Sequence, residues 1–163
     1  MNANSTALYD TVRTSRLAEG LSPEQTTVLA QLLRLQTLQA REVLAREGSA
    51  DNLLYVVVSG GLGVVKNLGA ADEATIVTLQ PGDFAHELGF LDGEVRYASL
   101  VALVPTQVLV LEREKLESLV VTDPRILYRV MCSIIRAVHK VQTRLSVQAS
   151  ELTNYIFKQH GRY

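Results

Sequence analysis

The sequence predicts an α+β chain with helices at the N-terminus, a β-roll in the middle and one long helix at the C-terminus. Three observations carry that expectation. Leucines at helical spacing run to about Leu38. Between Arg41 and Glu112, short Val-, Leu- and Ile-rich runs are interrupted by glycines. After Arg113 the helical period returns and holds to at least Leu152. The expected organisation is a helical extension over 1–22, a helix plus β-roll over 23–123, and a C-terminal helix with a short tail over 124–163.

In the first part, Thr6 to Ala18 reads as a helix that stops at Gly20, a residue suited to a helix C-terminus. Ser22-Pro23-Glu24-Gln25 then supplies an N-cap, a first-turn proline and a capping-box glutamine, so a second helix starts at Pro23. Leu29, Leu32, Leu33 and Leu35 crowd related faces, which extends the helical expectation to about Leu38.

In the middle part, Leu53 to Val58, Leu62 to Val65, Thr75 to Leu79, Ser99 to Val104 and Gln107 to Leu111 read as strands. Glycines 48, 60, 61, 69, 82, 89 and 93 sit at or near the breaks. Strands this short and this closely spaced imply a roll, barrel or sandwich, here a jelly-roll-like double-stranded β-helix.

A short helix over Glu114 to Val120 precedes Asp123-Pro124, a natural start for the last helix. Within it Leu127, Met131, Ile134, Val138, Val141, Leu145, Gln148 and Leu152 follow alternating steps of four and three, the seam of a coiled coil. Ile126, Val130 and Ile135 widen that stripe over the first turns, as expected where the helix also packs on its own core. A homodimer through Leu127, Met131, Ile134, Val138, Val141 and Leu145 is one expectation; a stripe folded wholly onto its own subunit is the other.

Length and composition bound the function. A chain of 163 residues, 47% apolar and 20% charged, suits one soluble domain with a sizeable core. Sixteen Lys and Arg against seventeen Asp and Glu give a net charge of -1, which disfavours DNA as a partner. The single cysteine, Cys132, forms no internal disulfide, and no apolar leader follows a basic start, so a cytoplasmic location is expected. The longest unbroken apolar run, Leu53 to Val58, is far short of the roughly 20 residues that span a bilayer.

The segment richest in chemistry is Pro81-Gly82-Asp83-Phe84-Ala85-His86-Glu87-Leu88-Gly89-Phe90-Leu91, followed by Arg96-Tyr97-Ala98. Together with Arg46-Glu47-Gly48-Ser49-Ala50-Asp51 leading into Leu54 to Val64, it resembles the cyclic nucleotide-binding domain of the catabolite activator protein family and of protein kinase A regulatory subunits. The resemblance covers about residues 20 to 145. It implies a phosphate-binding cassette that Glu87, Leu88 and Arg96 match, with cyclic AMP or cyclic GMP as ligand and no other cofactor or metal. Arg96 would take the phosphate and Glu87 the ribose 2′-hydroxyl. A guanidinium suits a phosphate and a carboxylate suits a hydroxyl. Amides of Leu88, Gly89, Tyr97 and Ala98 would support them, and Val77 and Leu79 with Leu88 would wall the base.

Two positions depart from the family pattern. His86 stands where the family has glycine, and its imidazole either clashes with a nucleotide or contacts the phosphate as a cation at lower pH. Tyr97 stands where the family prefers a small residue, so its phenol crowds the pocket or stacks outside it. The alternative is therefore a degenerate cassette, with Glu87 and Arg96 joined as an ordinary ion pair in a dimeric scaffold.

Catalysis is not expected. The three histidines, His86, His139 and His160, are scattered, Cys132 sits among apolar helix neighbours, and no serine-centred motif appears. The residues from Glu151 to Tyr163 are too few for a helix-turn-helix after the long helix, so signalling is expected to pass through that helix to a separate, unknown protein partner.

Overall fold

The computed structural model describes the backbone of residues 3–160, and their side chains except those of 3–4, 144–145, 148–149 and 152–160. Helix α1 (Ala3–Thr14) leads through a 3-10 turn (Arg16–Ala18) into α2 (Pro23–Leu32). Eight strands follow: β1 (Leu33–Leu38), β2 (Val43–Ala45), β3 (Leu53–Ser59), β4 (Leu62–Lys66), β5 (Ala74–Leu79), β6 (Phe84–Ala85), β7 (Ser99–Ala102) and β8 (Thr106–Glu112). Helix α3 (Glu87–Asp92) interrupts them, and α4 (Arg113–Glu117), α5 (Leu119–Thr122) and α6 (Pro124–His160) complete the chain.

The helix starts follow the sequence. Ser22 Oγ accepts from the Gln25 amide at 3.3 Å and Gln25 Oε1 accepts from the Ser22 amide at 3.2 Å, which is the expected capping box of α2. Asp123 Oδ1 accepts from the Ile126 amide at 3.3 Å and caps α6.

The helical expectation fails after Leu32. Leu33 turns extended, and β1 pairs antiparallel with β8 over its whole length, from Leu33 opposite Leu111 to Leu38 opposite Thr106. Local leucine spacing fits a helix as well as a strand, and pairing with β8 decides between them. The short helix expected after Arg113 is present as two pieces, α4 and α5.

The strands form two four-stranded antiparallel sheets, ordered β1-β8-β3-β6 and β2-β7-β4-β5. Alternation along β3 and β8 explains why they read as unbroken apolar runs. Leu54, Val56, Leu109 and Leu111 face the helices, whereas Tyr55, Val57, Val108 and Val110 fill the space between the sheets. Gly60 makes the β3–β4 turn with φ +79°, and a Cβ there would overlap the Pro105 carbonyl oxygen.

Helix α6 is anchored by its first half. Ile126, Val130 and Ile134 are fully buried and Ala137 nearly so, and each large side chain contributes about 1.5–3 kcal/mol of apolar burial. Ile134, expected in an intersubunit seam, therefore belongs to the chain's own core, and Leu127 and Met131 pack partly against that core. Val141 is exposed, and the side chains of Leu145, Gln148 and Leu152 lie outside the described set. At 37 residues the helix is about 55 Å long. Among the described residues no helix is long and apolar enough to cross a membrane.

Candidate ligand-binding site

A cleft of about 540 Å³ opens where α3, β4, β5 and the approach to β7 meet the middle of α6. Of the predicted site residues, Val77, Leu79, His86, Glu87, Leu88, Arg96, Tyr97 and Ala98 all line it. Gly89 does not line it; it is buried beneath His86. Sequence reasoning missed Val64 and Leu100 on the apolar wall, and Val138, Val141 and Gln142 of α6, which close it from above. The strand runs were legible, but which face each residue takes depends on register.

Arg96 is held from several directions. Its amide donates to Ser49 O at 2.9 Å and its carbonyl accepts from the Gly48 amide at 2.8 Å, which fixes its backbone on the β2–β3 turn. Nε donates to Asp51 Oδ2 at 3.0 Å and Nη2 to Asp51 Oδ1 at 2.5 Å, while the Tyr55 ring lies 5.1 Å beneath the guanidinium. Arg96 thus pairs with Asp51 and not with Glu87, contrary to the ion pair expected of a degenerate cassette. Only 3% of Arg96 is exposed, so the bidentate pair is what makes a buried guanidinium tolerable. Asp51 was visible in the sequence motif, but nothing local marks it as the partner of a residue 45 positions on. A guanidinium carries five N–H donors and this pair occupies two, so Asp51 orients Arg96 and leaves donors for a ligand.

Glu87 is the first residue of α3. Burial, reinforced by the Asp83 carboxylate, pushes its carboxyl above the usual carboxylate range, and its own amide only partly offsets this. Among the described residues no cation pairs with it. A carboxyl in that state accepts a hydroxyl readily and donates when protonated.

His86 carries two unfavourable features. Its backbone is left-handed, φ 69° and ψ 31°, a conformation that costs a non-glycine residue about 1–2 kcal/mol. Its Nε2 is buried without a hydrogen-bond partner among the described residues, which costs about 1–3 kcal/mol more. The ring lies over Gly89, where a Cβ would overlap it. Burial, then the Arg96 guanidinium, hold the imidazole below its ordinary pKa, against the raising influence of Asp51 and Asp92. At neutral pH it is an uncharged ring packed on Gly89, and position 86 keeps a left-handed, glycine-like backbone.

Tyr97 stands at the rim, 65% exposed, with Lys66 Nζ 4.9 Å from its ring centroid. Lys66 also bonds the Tyr97 carbonyl at 2.9 Å and pairs with Glu47, so the phenol is stacked at the edge and the floor stays open.

The family model of the cyclic nucleotide-binding domain matches residues 35–123, more than half of the chain. The chain is 26% identical over 137 residues to the cyclic AMP receptor protein of Thermus thermophilus, covering 84% of this chain and 63% of that protein. It is 27% identical over 112 residues to cGMP-dependent protein kinase isozyme 1 of Drosophila melanogaster, covering 67% of this chain and 15% of the kinase. The chain thus spans less than two thirds of either relative. Among solved structures, a cyclic nucleotide-binding domain from Methylobacillus flagellatus superposes with a TM-score of 0.74 at 23% identity, covering 90% of this chain and 82% of that one. At that identity the likeness speaks for the fold.

Proposed function

This chain belongs to the cyclic nucleotide-binding domain family, and from that premise we propose that it is a regulatory module whose cleft takes a cyclic nucleotide and reports occupancy through α6. One observation carries the reading: Arg96, with unused donors, and Glu87, whose carboxyl pairs with no cation among the described residues, open onto the same cleft as the apolar wall of Val64, Val77, Leu79 and Leu100. The cleft volume of about 540 Å³ is that of a small-molecule site. The cyclic phosphate goes to Arg96, supported by the amides of Leu88, Gly89, Tyr97 and Ala98, the ribose hydroxyl to Glu87, and the base to the wall beneath Leu88. Val138, Val141 and Gln142 place α6 against the ligand, so occupancy changes how the helix sits on the roll and what a dimer partner or separate protein meets.

A second reading, a ligand-free interaction module, is favoured by His86, whose imidazole fills cassette volume that a glycine would leave open. Calorimetric titration of cyclic AMP and cyclic GMP into the chain and into His86→Gly separates the two. Micromolar binding by the unmodified chain, abolished in Arg96→Gln, is expected. Binding only after His86→Gly would establish a blocked cassette, and binding by neither a scaffold.

A further inference from the structure

A second cleft of about 500 Å³ lies beside the first, and the two share Val77, Leu79, Phe84, Glu87 and Val141 as common lining. Its far end is cationic. Arg16 comes from the 3-10 turn, where its carbonyl accepts from Ser133 Oγ at 2.7 Å and ties that turn to α6. Its Nε reaches over the Gly82 turn, 3.6 Å from where a Cβ on Gly82 would stand. Lys140 comes from α6, with Nζ 3.6 Å from Asp83 Oδ1 and its side chain 48% exposed. That separation is long for an ion pair, and the other Asp83 oxygen already accepts from the Gln80 amide at 3.0 Å, so Lys140 is weakly held. Asp83 thus pairs loosely with Lys140, and Arg16 lines the same cleft. Glu87 stands at the boundary and lines both clefts.

A mononucleotide in the first cleft uses Arg96 and Glu87 and leaves this second cationic end empty. The strip between the two ends is apolar apart from Glu87, which the ribose hydroxyl would meet, and is otherwise formed by Val77, Leu79, Phe84 and Val141. We propose that the two clefts act as one elongated site for a ligand with two phosphate groups, of the dinucleotide class, whose second phosphate is held by Arg16 and Lys140. The inference rests on the reading of the first cleft as a cyclic nucleotide site. It adds that the bound molecule bridges the 3-10 turn, the roll and α6, three elements that a mononucleotide does not join.

The test is parallel titration of cyclic AMP and cyclic di-AMP into the full chain, into the Arg16→Gln/Lys140→Gln double variant and into Arg96→Gln, with thermal unfolding confirming that each is folded. Two added charge-assisted contacts make the dinucleotide about tenfold or more tighter than cyclic AMP. The double variant is expected to lose that margin while keeping its affinity for cyclic AMP, and Arg96→Gln to weaken both ligands. Cyclic AMP binding with no margin for the dinucleotide, or a margin that survives in the double variant, overturns the elongated site and leaves the cyclic nucleotide reading intact. Failure of both ligands to bind the folded chain overturns both.

Discussion

The imidazole of His86 occupies the space that any side chain at Gly89 would need. The two residues, three apart on the cassette, are thus one packing unit, and the cost of changing either depends on the other. Gly89→Ala is expected to destabilise the chain by about 1–3 kcal/mol, because the ring must leave its niche or the helix must shift. In a His86→Gly background the three atoms nearest to that Cβ are gone, and the same change is expected to cost clearly less. Urea unfolding of the two single variants and the double variant measures the coupling; additive effects would mean that the ring does not rest on Gly89.

His86 also makes stability depend on pH. Its folded pKa lies below the ordinary 6.5, so the fold favours the neutral ring. That contribution is complete above the unfolded value and is lost as pH falls through the folded one. Acidification below about pH 6.5 is therefore expected to lower the urea midpoint of the chain more steeply than that of His86→Gly. Above that pH the glycine variant is expected to be more stable by about 1 kcal/mol, since it loses the left-handed strain and the orphaned nitrogen. Parallel curves for the two proteins across pH 5–8 would remove His86 as the titrating group.

Glu87 has the opposite sign. Its folded pKa is raised from the ordinary 4.5, so its contribution is complete below that value and is lost as pH rises through the folded one. Ionising this carboxyl places a charge in a largely desolvated site where no cation among the described residues pairs with it. Glu87→Gln is expected to raise unfolding stability at about pH 7 by about 1 kcal/mol, a gain that vanishes near pH 4. The same variant is expected to weaken cyclic nucleotide binding. A gain in stability with unchanged affinity would show that the carboxyl does not meet the ligand.

These residues show what was legible. The roll was readable because glycine-broken apolar runs admit few other folds, and the start of α6 because Asp123-Pro124 is local chemistry. Strand β1 was not, since Leu33 and Leu35 suit either period and only β8, more than 70 positions away in sequence, makes them a strand. In the site, Glu87, Leu88 and Arg96 came from the resemblance of one motif to the family's phosphate-binding cassette. The Arg96 partner did not, because Asp51 and Tyr55 reach it through folding alone. His86 departs from the family's glycine in the sequence itself, yet its left-handed backbone and its rest on Gly89 are three-dimensional facts.

The Asp51–Arg96 pair yields the last prediction. Arg96 is almost fully enclosed, whereas 29% of the Asp51 side chain is exposed, so the two ends of the pair are unequal. Asp51→Asn leaves a buried guanidinium without its counter-charge and is expected to cost about 2–4 kcal/mol, at or below the range for breaking a fully buried pair. Arg96→Met leaves a carboxylate that can turn to water and is expected to cost less, about 1–2 kcal/mol, the Met chain retaining contact with Tyr55. The double variant removes both charges and is expected to be no worse than Asp51→Asn alone, giving a coupling of about 1–2 kcal/mol by urea unfolding. Equal costs for the single variants, with no coupling, would mean that the pair does not hold Arg96 in place. In that case the orientation of the guanidinium toward the cleft would rest on its backbone bonds to Gly48 and Ser49.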